Sequence, residues 1–184
     1  RLQKRIDEHM ETYSLTPGNY ASAHLRAMYG NRKFREPNET IALTVNAINC
    51  ASELHHGGPI YFAADIKFAV DVAQEYGRQR DLPVASLEFN EDPLHLDKDT
   101  QWTQRHPSAF DDVFIDLYML GNSRCVAYSN GGYGKFGQLL SYNSSCSVQH
   151  FRKRQIERNC TWVDENGEAQ KLPPPEIIVP QHLV

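Results

Sequence analysis

Ile60-Tyr61-Phe62-Ala63-Ala64 is an unbroken apolar run that stops at an acid, Asp65. A strand with one wet face alternates apolar and polar residues, whereas a run that is apolar at every position is covered on both faces. Such a strand belongs in a parallel sheet between two layers of helix, and the rest of the chain supplies the helices. Leu2, Ile6, Met10 and Tyr13 recur at helical spacing. Ile41, Val45 and Ile48 do so in a segment from about Glu39 to Leu54, for which Asn38 is the expected cap. Phe68, Val72 and Tyr76 mark a third helix, Phe110, Val113, Leu117 and Leu120 a fourth over 109–121, and a short one runs through Leu139 and Leu140. Strands are expected between them at 20–25, 83–89 and 124–129. Helix and strand therefore alternate, and the expected fold is α/β, a Rossmann-like doubly wound parallel sheet. It is expected to occupy residues 1–150, with 151–184 as a C-terminal extension.

The alternation stops after Asn143. Thr161-Trp162-Val163 and Gln170-Lys171-Leu172 are expected to pair as a hairpin with Asn166-Gly167 at its turn, and Pro173-Pro174-Pro175 starts an extended tail. Arg152, Lys153, Arg154 and Arg158 read as a solvated helix face, and a net charge of −4 argues against a nucleic-acid partner. No apolar run is long enough to span a bilayer. The chain opens at Arg1 without a signal peptide, and is expected to be a trimmed piece whose partner half lies elsewhere.

Three N-x-S/T sequons, at Asn38, Asn143 and Asn159, are glycosylation candidates and lean towards a secretory route. Four cysteines, Cys50, Cys125, Cys146 and Cys160, allow three full pairings. Cys146 and Cys160 flank a polar stretch and could close a short loop, while Cys125, inside an apolar run, reads as a buried thiol. C-x-x-C spacing is absent, and no metal site is expected.

In a doubly wound sheet, ligands sit at the carboxyl ends of the strands. His24 and Arg26 end the first strand on one side of it; an arginine there can grip a phosphate bidentately, and the bland alternative is a surface ion pair. Asp65 ends the second strand, where a carboxylate could take a ribose hydroxyl or cap the following helix. Asp116 lies on the fourth helix. Gly132-Tyr133-Gly134-Lys135-Phe136-Gly137 reads G-x-G-x-x-G between a strand and a helix. The dinucleotide fingerprint normally opens the first βαβ unit, however, so a phosphate-facing turn fits this position better. The polar loop over 90–108 is long enough to suggest a functional role.

Taken in order, these pieces resemble the carboxyl-terminal domain of the fucosyltransferase superfamily, the α1,6-, protein O- and nodulation-type enzymes of GT-B architecture. The resemblance spans roughly Tyr20 to Ser141. His24-Leu25-Arg26 resembles the family's H-x-R motif, which implies that Arg26, with His24 beside it, acts on the diphosphate of GDP-fucose or another nucleotide sugar. Ile60–Asp65 and Phe114-Ile115-Asp116-Leu117 resemble the segments whose acids hold the nucleotide, implying that role for Asp65 and Asp116. Ser129, Asn130, Gly131, Gly132 and Tyr133 fall at the family's phosphate turn. The resemblance implies an inverting, metal-independent transfer to a glycan or protein acceptor in the Golgi lumen or outside the cell, with no cofactor beyond the donor. It also implies an N-terminal acceptor domain outside this chain. Ala27-Met28-Tyr29 and Gly131-Gly132 depart from the family pattern, which keeps open a catalytically inactive sugar-binding or structural module as the alternative.

Overall fold

The computed structural model describes residues 1–28, 36–94, 104–153, 155–163 and 169–170. Its centre is a five-stranded sheet built from β1 (Ala21–Leu25), β2 (Ile60–Ala64), β3 (Val84–Ala85), β4 (Cys125–Tyr128) and β5 (Ser147–Gln149), in the order β3-β2-β1-β4-β5. Every neighbouring pair is parallel, with Ala23 opposite Phe62 on one side and Ala127 on the other. All residues of β1 and β2 are buried, as the continuous apolar run of β2 requires, and in β1 this includes Ser22 and His24.

The helices are α1 (Leu2–Thr12), α2 (Pro37–Leu54), α3 (Lys67–Gln79), α4 (Asp111–Gly121) and α5 (Gly132–Leu140). They divide between the two faces of the sheet. Ala21, Ala23, Leu25, Ile60 and Phe62 pack with Leu43, Ala47 and Ile48 of α2 and Ala69, Val70 and Ala73 of α3. The opposite face carries Tyr61 and Ala63, which meet Ile6 and Met10 of α1 and Ile115, Met119 and Leu120 of α4. The fold is therefore the expected α/β, Rossmann-like doubly wound sheet.

Several local expectations need correction. Asn38 does not cap α2; the helix begins at Pro37, whose ring presets φ and whose missing N–H has no partner to lose there, and Asn38 lies in its first turn. The third strand is two residues of ladder, not the seven of 83–89, because β3 is an edge strand that pairs only with β2. A fifth strand, β5, extends the sheet where the alternation was read as ended; its residues are all half-buried and polar at two of three positions, so it lacks the apolar run that marks β2. The basic segment is no helix face but an antiparallel turn, β6 (Phe151–Arg152) against β7 (Gln155–Ile156), with Lys153 at φ 47°.

The expected hairpin exists as β8 (Trp162–Val163) paired with β9 (Ala169–Gln170), one residue earlier on its second arm than the sequence implied. Its Asn166-Gly167 turn and the proline tail lie outside the described residues. Both cysteine expectations fail. Cys50 of α2 bonds Cys160, and Cys125 at the start of β4 bonds Cys146 just before β5, where Val126 N–H donates to the Cys146 carbonyl. Residues past 150 are thereby tied to the body, and Phe151 and Cys160 join the α2-side core.

Candidate functional site

The carboxyl ends of β1 and β2 open into a cavity of about 450 Å³ on the α4–α5 side of the sheet. His24, Arg26, Asp65, Asp116, Gly132 and Tyr133 line it, so residues far apart in the chain converge on one wall. The rest of the lining is apolar: Ala63, Ala64, Pro93, Leu94, Val113, Leu117 and Phe136. A mostly apolar cleft with a few convergent polar groups is the general form of a small-ligand site.

Strand alternation explains the placement of His24. Ala23 and Leu25 point into the α2–α3 core, so Ser22 and His24 point the other way, towards α4 and α5. His24 is buried against Gly134, where an added Cβ would lie 2.5 Å from Nδ1. That Nδ1 has no hydrogen-bond partner among the described residues. Burial, then the neighbouring His150 and Arg26, push its pKa down to about 3, so the ring is neutral at ordinary pH. His150, also fully buried, places Nε2 3.1 Å from the His24 carbonyl oxygen, and burial pushes it down to about 4.

Arg26 reaches the same space from the end of β1. Its backbone N–H donates to Ser129 Oγ at 2.6 Å, and an added Cβ at Gly131 would lie 3.1 Å from its Cδ. Gly131 has φ +96°, a conformation that disfavours any side chain, and it caps α5 without a side-chain bond. Among the described residues no side-chain cap meets the first-turn N–H groups of α5, and a helix end of this kind carries partial positive charge beside Arg26. A helix N-terminus and a guanidinium together form a seat for an anion.

Asp65 lines the cavity, and of its two expected roles the helix cap is not found. It does not cap α3, whose cap is Ile66; its carboxylate accepts from Ala27 N at 2.6 Å and from Met28 N, holding the chain as it leaves β1. The N-terminus of α3 is instead met by Asp92, whose Oδ1 accepts from Lys67 N at 2.8 Å. Ser129, Asn130 and Gly131 do not line the cavity. Ser129 is fully buried and engaged with Arg26, and Asn130 Oδ1 accepts from Lys153 N at 3.1 Å. Tyr133 lines the cavity while its hydroxyl donates to the Val113 carbonyl, locking α5 to α4.

Asp116 is the most perturbed acid among the described residues. It is buried on α4, and Tyr61 of β2 donates its hydroxyl to Oδ1. Burial pushes the carboxyl up to about 7, against the Tyr61 hydrogen bond and with some help from Asp112. Tyr61 itself is raised well above its ordinary value, first by burial and then by Asp116. The sequence reading named Asp116 but missed Tyr61, Phe136 and the Val113 and Leu117 that form a stripe with Asp116 along α4. The stripe was legible in principle, since positions i, i+3 and i+4 share one helix face, but apolar residues at that spacing read first as core. The 90–108 loop contributes Pro93 and Leu94; its residues 95–103 lie outside the described residues. Among the described residues, no cluster of His, Cys, Asp or Glu has metal-holding geometry.

The fold and cavity together define a Rossmann-like α/β domain with a cleft at its strand ends, lined by Arg26, His24, two acids and apolar residues. No protein-family model matches the chain, and no curated protein matches it. The described helices include none long and apolar enough to cross a membrane, and two disulfides fit folding in an oxidising compartment.

Proposed function

We propose that the chain is the donor-binding domain of a fucosyltransferase-like glycosyltransferase that holds a nucleotide sugar, GDP-fucose by the resemblance of its motifs. The observation that carries the reading is the meeting of Arg26 with the uncapped start of α5 in a cleft that also takes in Asp65 and Asp116. The diphosphate lies against Arg26 and the α5 N–H groups, and the nucleoside runs along the apolar wall towards Asp116.

In the transfer, an acceptor hydroxyl oxygen bonds the anomeric carbon from the face opposite the diphosphate, with inversion. The bond from that carbon to the β-phosphate oxygen breaks, and its electron pair leaves on the diphosphate. Arg26 and the helix end stabilise the charge that develops there, an electrostatic role that needs no metal in this reading. An imidazole that stays neutral down to about pH 3 is a weak base. His24 therefore offers a hydrogen bond beside Arg26, and the base that takes the acceptor proton comes from outside this cleft. A glycan or protein acceptor, bound by a further domain or chain in the Golgi lumen, completes the proposal.

Titration calorimetry with GDP, UDP and GDP-fucose tests it. Binding of GDP is expected, weakened at least about tenfold in Arg26→Ala, the size of one charge-assisted contact. A folded protein that ignores all three at millimolar concentration sinks the reading. Binding without transfer, once an acceptor domain is supplied, leaves the inactive-module alternative standing.

A further inference from the structure

All three sequon asparagines, Asn38, Asn143 and Asn159, are exposed in the fold. Asn159 differs from the others in what separates it from its threonine. The middle residue is Cys160, half of the Cys50–Cys160 disulfide. We infer that Asn159 is an N-glycan acceptor whose modification competes with closure of that disulfide.

N-glycan transfer joins the side-chain amide nitrogen of the asparagine to the anomeric carbon of an oligosaccharide carried on a lipid diphosphate. The sugar–phosphate C–O bond breaks, its electron pair leaves with the diphosphate, and the amide proton passes to a base of the transferase. The tripeptide must enter that enzyme as a pliable strand, with the asparagine and the threonine hydroxyl presented together. The competing reaction takes two protons and two electrons from the Cys50 and Cys160 thiols, passes them to the disulfide of a thiol oxidoreductase, and forms the S–S bond. Its partner Cys50 lies 110 residues earlier, so both reactions become possible only when residues around 160 emerge.

Closure removes the pliable strand. Asn46 of α2 donates Nδ2–H to the Arg158 carbonyl and accepts Cys160 N–H on Oδ1, both at 2.9 Å. Asn49 donates to the Cys160 carbonyl at 3.4 Å, and the Arg158 guanidinium pairs with Glu53. Cys160 is 5% exposed within the core. The backbone on both sides of Asn159 is thus strapped to α2, although the asparagine itself faces solvent.

Neither other sequon contains a cysteine. The Asn143 sequon ends before Cys146, and Asn143 Oδ1 accepts from Ser145 N in a local turn. A glycan at Asn159 also leaves the cleft clear, because α2 covers the face of the sheet opposite α4 and α5.

The test is to express the chain behind a secretory signal in eukaryotic cells. Occupancy at each asparagine is read by peptide mass spectrometry after enzymatic deglycosylation in heavy-oxygen water. Total denatured lysate is used, so variants that fail to fold are still counted. Partial occupancy is expected at Asn159, rising at least twofold in Cys50→Ser and under brief dithiothreitol treatment, with Asn38 and Asn143 unchanged in Cys50→Ser. Cys125→Ser, which breaks the other disulfide, is expected to leave Asn159 as it was. An Asn159 that is empty, fully occupied, or equally occupied in wild type and Cys50→Ser overturns the inference. So does a rise of the same size in Cys125→Ser, which would reflect slow folding in general.

Discussion

At the scale of single residues, the site is defined by groups held in unusual charge states. Asp116 keeps its proton to about pH 7 in the fold, whereas in the unfolded chain it ionises near its ordinary value of 3.8. The stability this group confers is therefore fully present below pH 3.8 and is lost as pH rises through about 7. Asp116→Asn keeps an oxygen for the Tyr61 hydroxyl and removes the ionisation. Between pH 5 and pH 8, wild type is expected to lose roughly 2–3 kcal/mol relative to this variant, at about 1.4 kcal/mol per pH unit of differential proton binding. Urea unfolding at the two pH values measures it, and an unchanged difference would show that Asp116 ionises freely. His24 and His150 act with the opposite sign. Their stability is present above 6.5 and lost as pH falls through about 4 and 3, so they leave the interval above pH 6.5 to Asp116. Asp116 was legible in the sequence through its place in a D-L helix motif. Its charge state was not, because that depends first on burial against the sheet, where Tyr61, 55 positions away, only partly offsets the cost of ionisation.

At the scale of elements, the G-x-G-x-x-G segment shows which part of a motif the sequence carries. Its position between a strand and a helix was readable, and α5 begins at Gly132 as the motif implies. The division of labour among its glycines was not, since each depends on a neighbour from another element. Gly132 lines the cavity, and an added Cβ there meets nothing within 4 Å. Gly137 faces α4 so closely that an added Cβ would lie 2.6 Å from Leu120 Cβ. Gly137→Ala gains about 1 kcal/mol in helix propensity, but it must push α5 off α4, which costs roughly 1–3 kcal/mol in a packed interface. A contact that close to the backbone cannot be relieved by rotating a side chain, so the packing cost prevails. Gly137→Ala is expected to melt several degrees below wild type, and Gly132→Ala within a degree or two of it. Differential scanning calorimetry of the pair checks this; equal melting temperatures would mean that the α4–α5 contact yields freely. β5 was missed for the same kind of reason. Ser147-Val148-Gln149 has no pattern of its own, and it is a strand because β4 offers it a parallel edge and Cys146 is bonded to Cys125.

At the scale of the molecule, the covalent links join parts that the sequence presents as separate. The apolar runs and helical spacings made the doubly wound sheet readable from β1 to α5. Nothing in the spacing of four cysteines chooses among three pairings, and the pairing observed follows from which backbones the fold brings together. The two bonds differ in what they constrain. Cys125–Cys146 spans 21 residues within one β4–α5–β5 unit, whereas Cys50–Cys160 spans 110 and ties the segment after β7 to the C-terminal part of α2. In the chain-entropy view, closing loops of these lengths removes about 3 and about 5 kcal/mol, respectively, of freedom from the unfolded chain. The longer link also holds the Asn46 and Asn49 hydrogen bonds to residues 158–160 in place, so its loss frees a strap as well as a loop. The double variant Cys50→Ser/Cys160→Ser is therefore expected to lose more stability than Cys125→Ser/Cys146→Ser, by about 1–2 kcal/mol. Guanidinium unfolding of the two variants beside wild type measures the difference. The opposite order would place the stabilising effect in the native packing of Cys125 and Cys146 against the Leu54 carbonyl, and not in the length of chain that each bond closes.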